Sequence, residues 1–170
     1  MLFRSNNNRY DMILVANPYF QDVEHLSKEI NKYKNFLTKY GSMCIAFDNK
    51  YGLKYFDGAF EPNNNVRFSG IEGYRDYSGS KSFSRQDICK ALSQSEIDNI
   101  SWFYPYPDRL LPSVIYSDDY LPKKGELIYN YRSFGDPCMI LFDETQAWDN
   151  IISDGLFSQF ANAYLVLIEV

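Results

Sequence analysis

Residues 10–47, YDMILVANPYFQDVEHLSKEINKYKNFLTKYGSMCIAF, decide the fold. The first apolar run, Asp11 to Ala16, is too short for a core helix and is stopped by Asn17-Pro18. It reads as a strand buried on both faces, as in a parallel sheet. Behind it Val23, Leu26, Ile30, Tyr33, Leu37 and Tyr40 recur at steps of three and four, the apolar stripe of a helix. Glu24, Lys28, Glu29, Lys32 and Lys39 fall off that stripe, Asp22 stands where a cap starts the helix, and Gly41 stands where one ends it. Ser42 to Phe47 is a second buried run, closed by Asp48-Asn49-Lys50. Strand, amphipathic helix, strand is a βαβ unit, whose crossover is right-handed.

The same rhythm continues downstream after a long interruption. Ser84 opens S-R-Q-D, a capping-box variant with Asp87 in place of Glu, ahead of inward-facing Ile88, Ala91 and Leu92. Ile100 to Tyr104 is a third strand, stopped by Pro105 and Pro107. Cys138 to Phe142 reads as a short strand. Asp143 caps a helix carrying Ala147, Trp148, Ile151 and Ile152, with Gly155 as its stop. Ala163 to Val170 is the final buried strand. Two aromatic-rich inserts, 51–83 and 105–137, break the pattern. Loops of that length inside a compact domain are commonly lids or binding segments.

At 170 residues, 45% hydrophobic and 23% charged, the chain is long enough for one domain. Its mean hydropathy of -0.39, with no apolar run near the length of a spanning helix, predicts a cytoplasmic protein without membrane insertion. A net charge of -5 argues against binding a nucleic-acid backbone. Cys44, Cys89 and Cys138 are isolated and read as small buried hydrophobes in a reducing compartment. The single histidine, His25, lies in a helix-surface context, so neither a zinc site nor a Ser-His-Asp relay is within reach. No P-loop and no G-x-G-x-x-G after a strand is present.

In an open parallel sheet, ligands bind beyond the carboxyl ends of the strands. Three loops qualify, beginning at Asn17-Pro18-Tyr19, Asp48-Asn49-Lys50 and Tyr106-Pro107-Asp108. Each joins a hydrogen-bonding side chain to an aromatic, although Asn and Pro are equally the residues that make turns. Among the carboxylates Glu61, Glu72, Asp108, Asp118 and Asp119 there is room for an acid–base pair, but spacing alone does not show that any two converge.

The order YDMILVANP, helix, YGSMCIAFDNKYGLKYFDGA, FSGIEGY, SFSRQDICKAL, ISWFYPYPD, LPSVIYSDDYLPKKGEL and FDETQAWDNIISDGLFSQFANAYLVLIEV resembles the later half of a class I S-adenosylmethionine-dependent methyltransferase. More narrowly, it is similar to methyltransferase domains of bacterial lipopolysaccharide and surface-glycan assembly. The resemblance implies an α/β fold, a partial Rossmann-like sheet of strands four to seven with helices. The runs at Asp11, Ser42 and Ile100 would be the fourth, fifth and sixth strands, and the run at Ala163 the seventh, antiparallel between the fifth and sixth.

It also implies S-adenosylmethionine as cofactor, bordered by Asn17 and Pro18, although relatives more often carry an apolar-Glu-aromatic pattern there. A glycan or small-molecule acceptor would meet Tyr19, Asn49, Tyr74, Tyr104, Tyr106 and Tyr116, with Asp108 and Asp118 as candidate bases for a hydroxyl acceptor. The glycine-rich loop and the acidic strand end with which the family grips its cofactor do not precede Tyr10. Residues 1–9 are expected to be a disordered or non-native leader. Residues 10–170 are then the C-terminal half of a domain, inactive alone, which lacks its N-terminal half as a partner. The run MILVA would be an open strand edge prone to self-association. The competing reading is a non-catalytic α/β module that binds a glycan or a protein.

Overall fold

The computed structural model describes residues 9–128 and 139–170 together with the backbone of residues 2–4. Its elements in chain order are β1 (Leu2–Arg4), β2 (Tyr10–Val15), α1 (Val23–Asn35), β3 (Leu37–Asp48), α2 (Leu53–Phe56), α3 (Arg85–Gln94), β4 (Ile100–Tyr106), β5 (Val114–Ser117), α4 (Glu144–Ser153), α5 (Phe157–Phe160) and β6 (Ala163–Glu169). The strands form one mixed open sheet in the order β1-β2-β3-β6-β4-β5. β2 and β3 are parallel, and β6 is antiparallel to both β3 and β4. Therefore β2, β3 and β4 all point the same way, and the last strand runs against them in the middle of the sheet.

Alternation along the strands sorts side chains onto two faces. Ile13, Met43, Ile45, Tyr164, Val166, Ile168, Trp102 and Tyr104 are buried on one. On that face Leu26 and Ile30 of α1 and Ile88, Ala91 and Leu92 of α3 join them in a single core. Each large aliphatic side chain so buried contributes about 1.5–3 kcal/mol. Trp148 of α4 and Phe157 of α5 extend this core, the indole and phenyl centroids 5.6 Å apart and Phe157 edge-on to Tyr104 and Tyr116. The opposite face carries Met12 and Leu14 at 38% and 43% exposure and Ile115 at 49%.

The caps form where the side chains dictate. Asp22 accepts from the His25 amide at 2.7 Å and starts α1. Ser84 and Asp87 close a reciprocal capping box on α3. Asp143 accepts from the amides of Thr145 and Gln146 at the start of α4. Gly155, at a φ of 71°, follows the end of α4 in the left-handed region where glycine is favoured.

Several expectations are corrected. The helix α1 ends at Asn35, not at Tyr40, and Leu37 to Gly41 belong to β3. Leu37 pairs with Tyr10 but Ser42 pairs with Met12, so three extra residues bulge from β3 there. Gly41 serves that bulge instead of capping a helix: a Cβ would lie 3.0 Å from the Tyr10 carbonyl oxygen and 3.1 Å from the Thr38 nitrogen. Leu2–Arg4, expected in a leader outside the fold, pair antiparallel with β2 from Tyr10 to Ile13, so that edge of MILVA is not bare. β4 runs through Pro105 to Tyr106, and the second insert supplies a further strand, β5. Proline is tolerated because Pro105 lies beyond Phe103, the last β4 residue paired with β6. Met139 to Phe142 form no strand; the amides of Leu141 and Phe142 donate to the buried Asp57 carboxylate. Cys44 is half-buried and Cys89 exposed, both free thiols, while Cys138 lies outside the described residues.

Candidate functional site

Because β2, β3 and β4 are co-directional, their carboxyl ends share one rim, where connecting loops part to leave a crevice. Asp48, the last residue of β3, is the electrostatic centre of that rim. Arg109, from the loop after β4, donates from Nε to Asp48 Oδ2 at 2.8 Å. Its Nη1 donates to the Ala16 carbonyl at 3.1 Å and to Asn17 Oδ1 at 3.2 Å. Lys54 Nζ stands 3.8 Å from the other Asp48 oxygen. One guanidinium thus ties together the ends of all three strands, a task its rigid fork suits better than an ammonium.

Beside it two buried asparagines fasten loop to loop. Asn49 donates from Nδ2 to the carbonyls of Gln159 and Ala161, both at 2.8 Å, and accepts from the Tyr51 amide at 3.0 Å. Asn162 donates to the Pro107 carbonyl at 2.8 Å and accepts from the Lys54 amide at 3.0 Å. Their amide groups are occupied by backbone, which is how buried polar groups are normally satisfied.

The first insert folds over the rim around Glu61, 1% exposed. One carboxylate oxygen accepts from Tyr74 Oη at 2.8 Å, from Asn63 Nδ2 at 3.0 Å and from Ser82 Oγ, and the other accepts from the Asn63 amide at 2.8 Å. The Tyr74 hydroxyl in turn accepts from the Ser82 amide at 2.7 Å. Burial first, then the Glu61 charge, raises the Tyr74 hydroxyl well above the usual tyrosine range, so it stays a donor.

Among the described residues, one cleft opens between this insert and the end of β3, and another between the insert and the starts of α1 and α3. The smaller, about 290 Å³ with the open solvent at its mouth included, is lined by Pro18, Phe20, Asp48, Lys81, Ser82 and Arg109, among others. The larger, about 480 Å³ with its mouth included, has Asp22, Lys50, Tyr74, Lys81 and Asp87 in its wall. Lys50 Nζ pairs with Asp87 Oδ2 at 2.6 Å. Burial pushes the Asp87 carboxyl up, but hydrogen bonds from Lys50 and Ser84 outweigh it and hold the group below the usual carboxylate range.

A third cluster stands apart from the clefts. Arg85, at the first turn of α3, grips Asp118 with both terminal nitrogens, at 3.1 and 2.9 Å. Tyr104 donates its hydroxyl to the same carboxylate and accepts from Arg85. The guanidinium lies 4.6 Å from the Trp102 ring centroid. For Asp118 burial again acts upward and is outweighed by Arg85 and Tyr104, leaving the carboxyl below the usual carboxylate range.

The residues singled out from the sequence therefore divide. Asn17, Pro18 and Tyr74 reach the rim or its clefts. Tyr19 is 60% exposed beside them. Asn49 is at the rim but wholly occupied. Tyr104, Tyr106 and Tyr116, expected as an open wall, are buried at 1%, 4% and 5% and belong to the aromatic core. Asp108 accepts from the amides of Leu110 and Leu111 at 2.8 and 3.2 Å, a turn-closing role. Of the carboxylates weighed as an acid–base pair, Glu61, Glu72, Asp108 and Asp118 each have their own partners, and no two share one.

Sequence reasoning missed Arg109 and Arg85. Their signal is position: Arg109 stands three residues past the aromatic end of β4, and Arg85 is the first residue of α3. Among the described residues no group of three or more His, Cys, Asp or Glu side chains converges to hold a metal ion. What the rim offers is hydrogen-bonding and cationic lining for a polar ligand. Neither a family model nor any curated protein matches this chain.

Proposed function

We propose that this chain is the strand-four-to-seven portion of a cytoplasmic, Rossmann-like S-adenosylmethionine-dependent methyltransferase that acts on a surface-polysaccharide or related small-molecule acceptor. The observation that carries the reading is the placement of β6. The resemblance implies a last strand antiparallel between the fifth and sixth, and β6 lies antiparallel between β3 and β4. The clefts at the shared carboxyl rim, walled by Lys81, Arg109 and Tyr74, give a polar acceptor a place to sit.

The cofactor is a different matter. Its sulfonium, when bound, supplies a methyl group to an in-line displacement that depends mostly on alignment and exclusion of water. These 170 residues contain no glycine-rich cradle after a strand, and the Asn17 carboxamide oxygen is engaged by Arg109. The residues present do not make a complete cofactor site. Titration calorimetry of this chain with S-adenosylmethionine is expected to show no binding, and micromolar affinity would overturn that expectation. In-frame DNA upstream of the Met1 codon encoding a glycine-rich strand, loop and helix is the result expected of the methyltransferase reading; an intact gene that opens at Met1 refutes it.

A non-catalytic glycan- or protein-binding module remains the second reading, favoured by one observation. Both candidate bases are engaged, Asp118 by Arg85 and Tyr104 and Asp108 by its own turn. A binding module would retain its acceptor glycan in the absence of any methyl donor, which glycan-array binding measures.

A further inference from the structure

We propose that the smaller cleft at the rim is an oxyanion site, in which Lys81, Arg109 and Ser80 hold a carboxylate or phosphate group. All three residues line it, and each keeps donors that no described residue takes up. Arg109 engages Nε with Asp48 and Nη1 with Ala16 and Asn17, which leaves Nη2 available. Ser80 Oγ accepts from the Phe20 amide at 3.3 Å but donates to no described group. Lys81 is half-buried and makes no ion pair among the described residues; its Nζ stands 5.8 Å from the Tyr74 ring centroid. Lysines withdrawn from solvent are normally paired. The other two lysines of the rim follow that rule, Lys50 with Asp87 and Lys54 beside Asp48. The backbone fixes Lys81 in place, since its amide donates to the Phe20 carbonyl at 2.8 Å.

Charge favours an anion here and not in the larger cleft. Around the smaller, Lys54, Lys81 and Arg109 stand against Asp48 and Glu61, three cations to two carboxylates. Both carboxylates are already engaged, Asp48 by Arg109 and Lys54, and Glu61 by Tyr74, Asn63 and Ser82. The surplus cation is Lys81. In the larger cleft Asp22 and Asp87 balance Lys50 and Lys81. A local positive surplus, in a chain of net charge -5, is focused by the low-dielectric walls of a cleft. Hydrogen bonds from charged donors to an oxyanion are roughly twice as strong as those between neutral groups. The volume of about 290 Å³, open solvent at the mouth included, lies below that of whole-ligand pockets, so the anionic head enters and the rest of the ligand stays at the mouth.

The oxyanion site is built from residues of this chain alone. A further step rests on the acceptor reading above: the acceptor is then an acidic sugar, carrying either the carboxylate of a uronic acid or a phosphate.

Amide chemical-shift titration of the isotope-labelled full chain tests both. The probes are glucuronate, glucose-6-phosphate, uncharged glucose, acetate and inorganic phosphate. At least one sugar anion should shift the amides of Lys81 and Ser82 saturably, with binding that weakens as sodium chloride is raised, and glucose should not. The tighter of the two tells carboxylate from phosphate. Lys81→Gln is expected to weaken binding at least ~10-fold and Lys81→Arg to keep it within ~3-fold, because the site supplies charged donors. As Lys81 makes no ion pair, thermal unfolding of Lys81→Gln should match wild type. Lys28→Gln, on the surface of α1, is the control and should bind like wild type. If acetate or inorganic phosphate binds through Lys81 while neither sugar anion does, the site stands and the acidic-sugar acceptor falls. No saturable shift with any anion, glucose acting as strongly as its anions, or Lys81→Gln binding as tightly as wild type overturns the site itself.

Discussion

Asp118 illustrates how a side chain that looks chemical in the sequence is spent on structure. Its carboxylate joins the β5 end to α3 through Arg85 and to β4 through Tyr104. Because its folded pKa lies below the unfolded value of 3.8, the stability it contributes is present above that pH and is lost as pH falls further, through the folded value. The pair is partly exposed, so Asp118→Asn is expected to cost about 0.5–1 kcal/mol at pH 7 and progressively less as the pH is lowered below 3.8, read from urea midpoints across that range. Tyr74 is the opposite case, a buried hydroxyl that both gives and receives. Tyr74→Phe leaves the Ser82 amide and a Glu61 oxygen short of a partner, and a loss of about 1–3 kcal/mol is expected by the same measurement. Glu61 itself was visible in the sequence as a carboxylate, yet nothing in its spacing from Ser82 or Tyr74 announces that they converge. The insert brings them together through turns whose geometry composition does not encode.

At the level of elements, periodicity located most helices and strands and misjudged where one became the other. The α1 stripe continues through Leu37 and Tyr40 at helical spacing, but the chain turns extended after Phe36. Tyr40 is 86% exposed, an accidental match, whereas Leu37 is buried because strand pairing with Tyr10 takes it inward. Tertiary pairing overrode local pattern there. The same location makes a test. Gly41→Ala places a methyl 3.0 Å from a backbone oxygen that cannot swing aside, and a loss of about 1–3 kcal/mol in thermal or urea unfolding is expected. Caps were legible because they depend on three or four neighbouring residues: Asp22, Ser84 and Asp143 all sit where the sequence puts them. β5 was not legible, since Val114–Ser117 is four residues long and flanked by polar turns.

For the whole molecule, the sheet's two central strands are β3 and β6, and its edges are β1 and β5. Amide exchange followed by mass spectrometry should therefore be slowest in Met43–Phe47 and Tyr164–Ile168 and fastest in Val114–Ser117, where one side of the strand is open. Uniform exchange across the sheet would contradict that hierarchy. No helix among the described residues is long and apolar enough to cross a membrane. The co-directional strands were readable from their apolar runs, but the half-exposure of Met12, Leu14 and Ile115 on the second face was not, because a run that is apolar throughout does not say which side its neighbours will occupy. The central position of β6 reaches further, into biosynthesis. Cys44 and Leu167 are direct partners across more than a hundred residues of chain, and β4 meets β3 only through β6. On the ribosome, the β2–β3 and β4–β5 pairs emerge first and share no ladder until Ala163–Glu169 leaves the exit tunnel. The sheet can close only at that point, so the nascent polypeptide must keep two sticky half-sheets apart until then, which is the situation chaperones exist to manage.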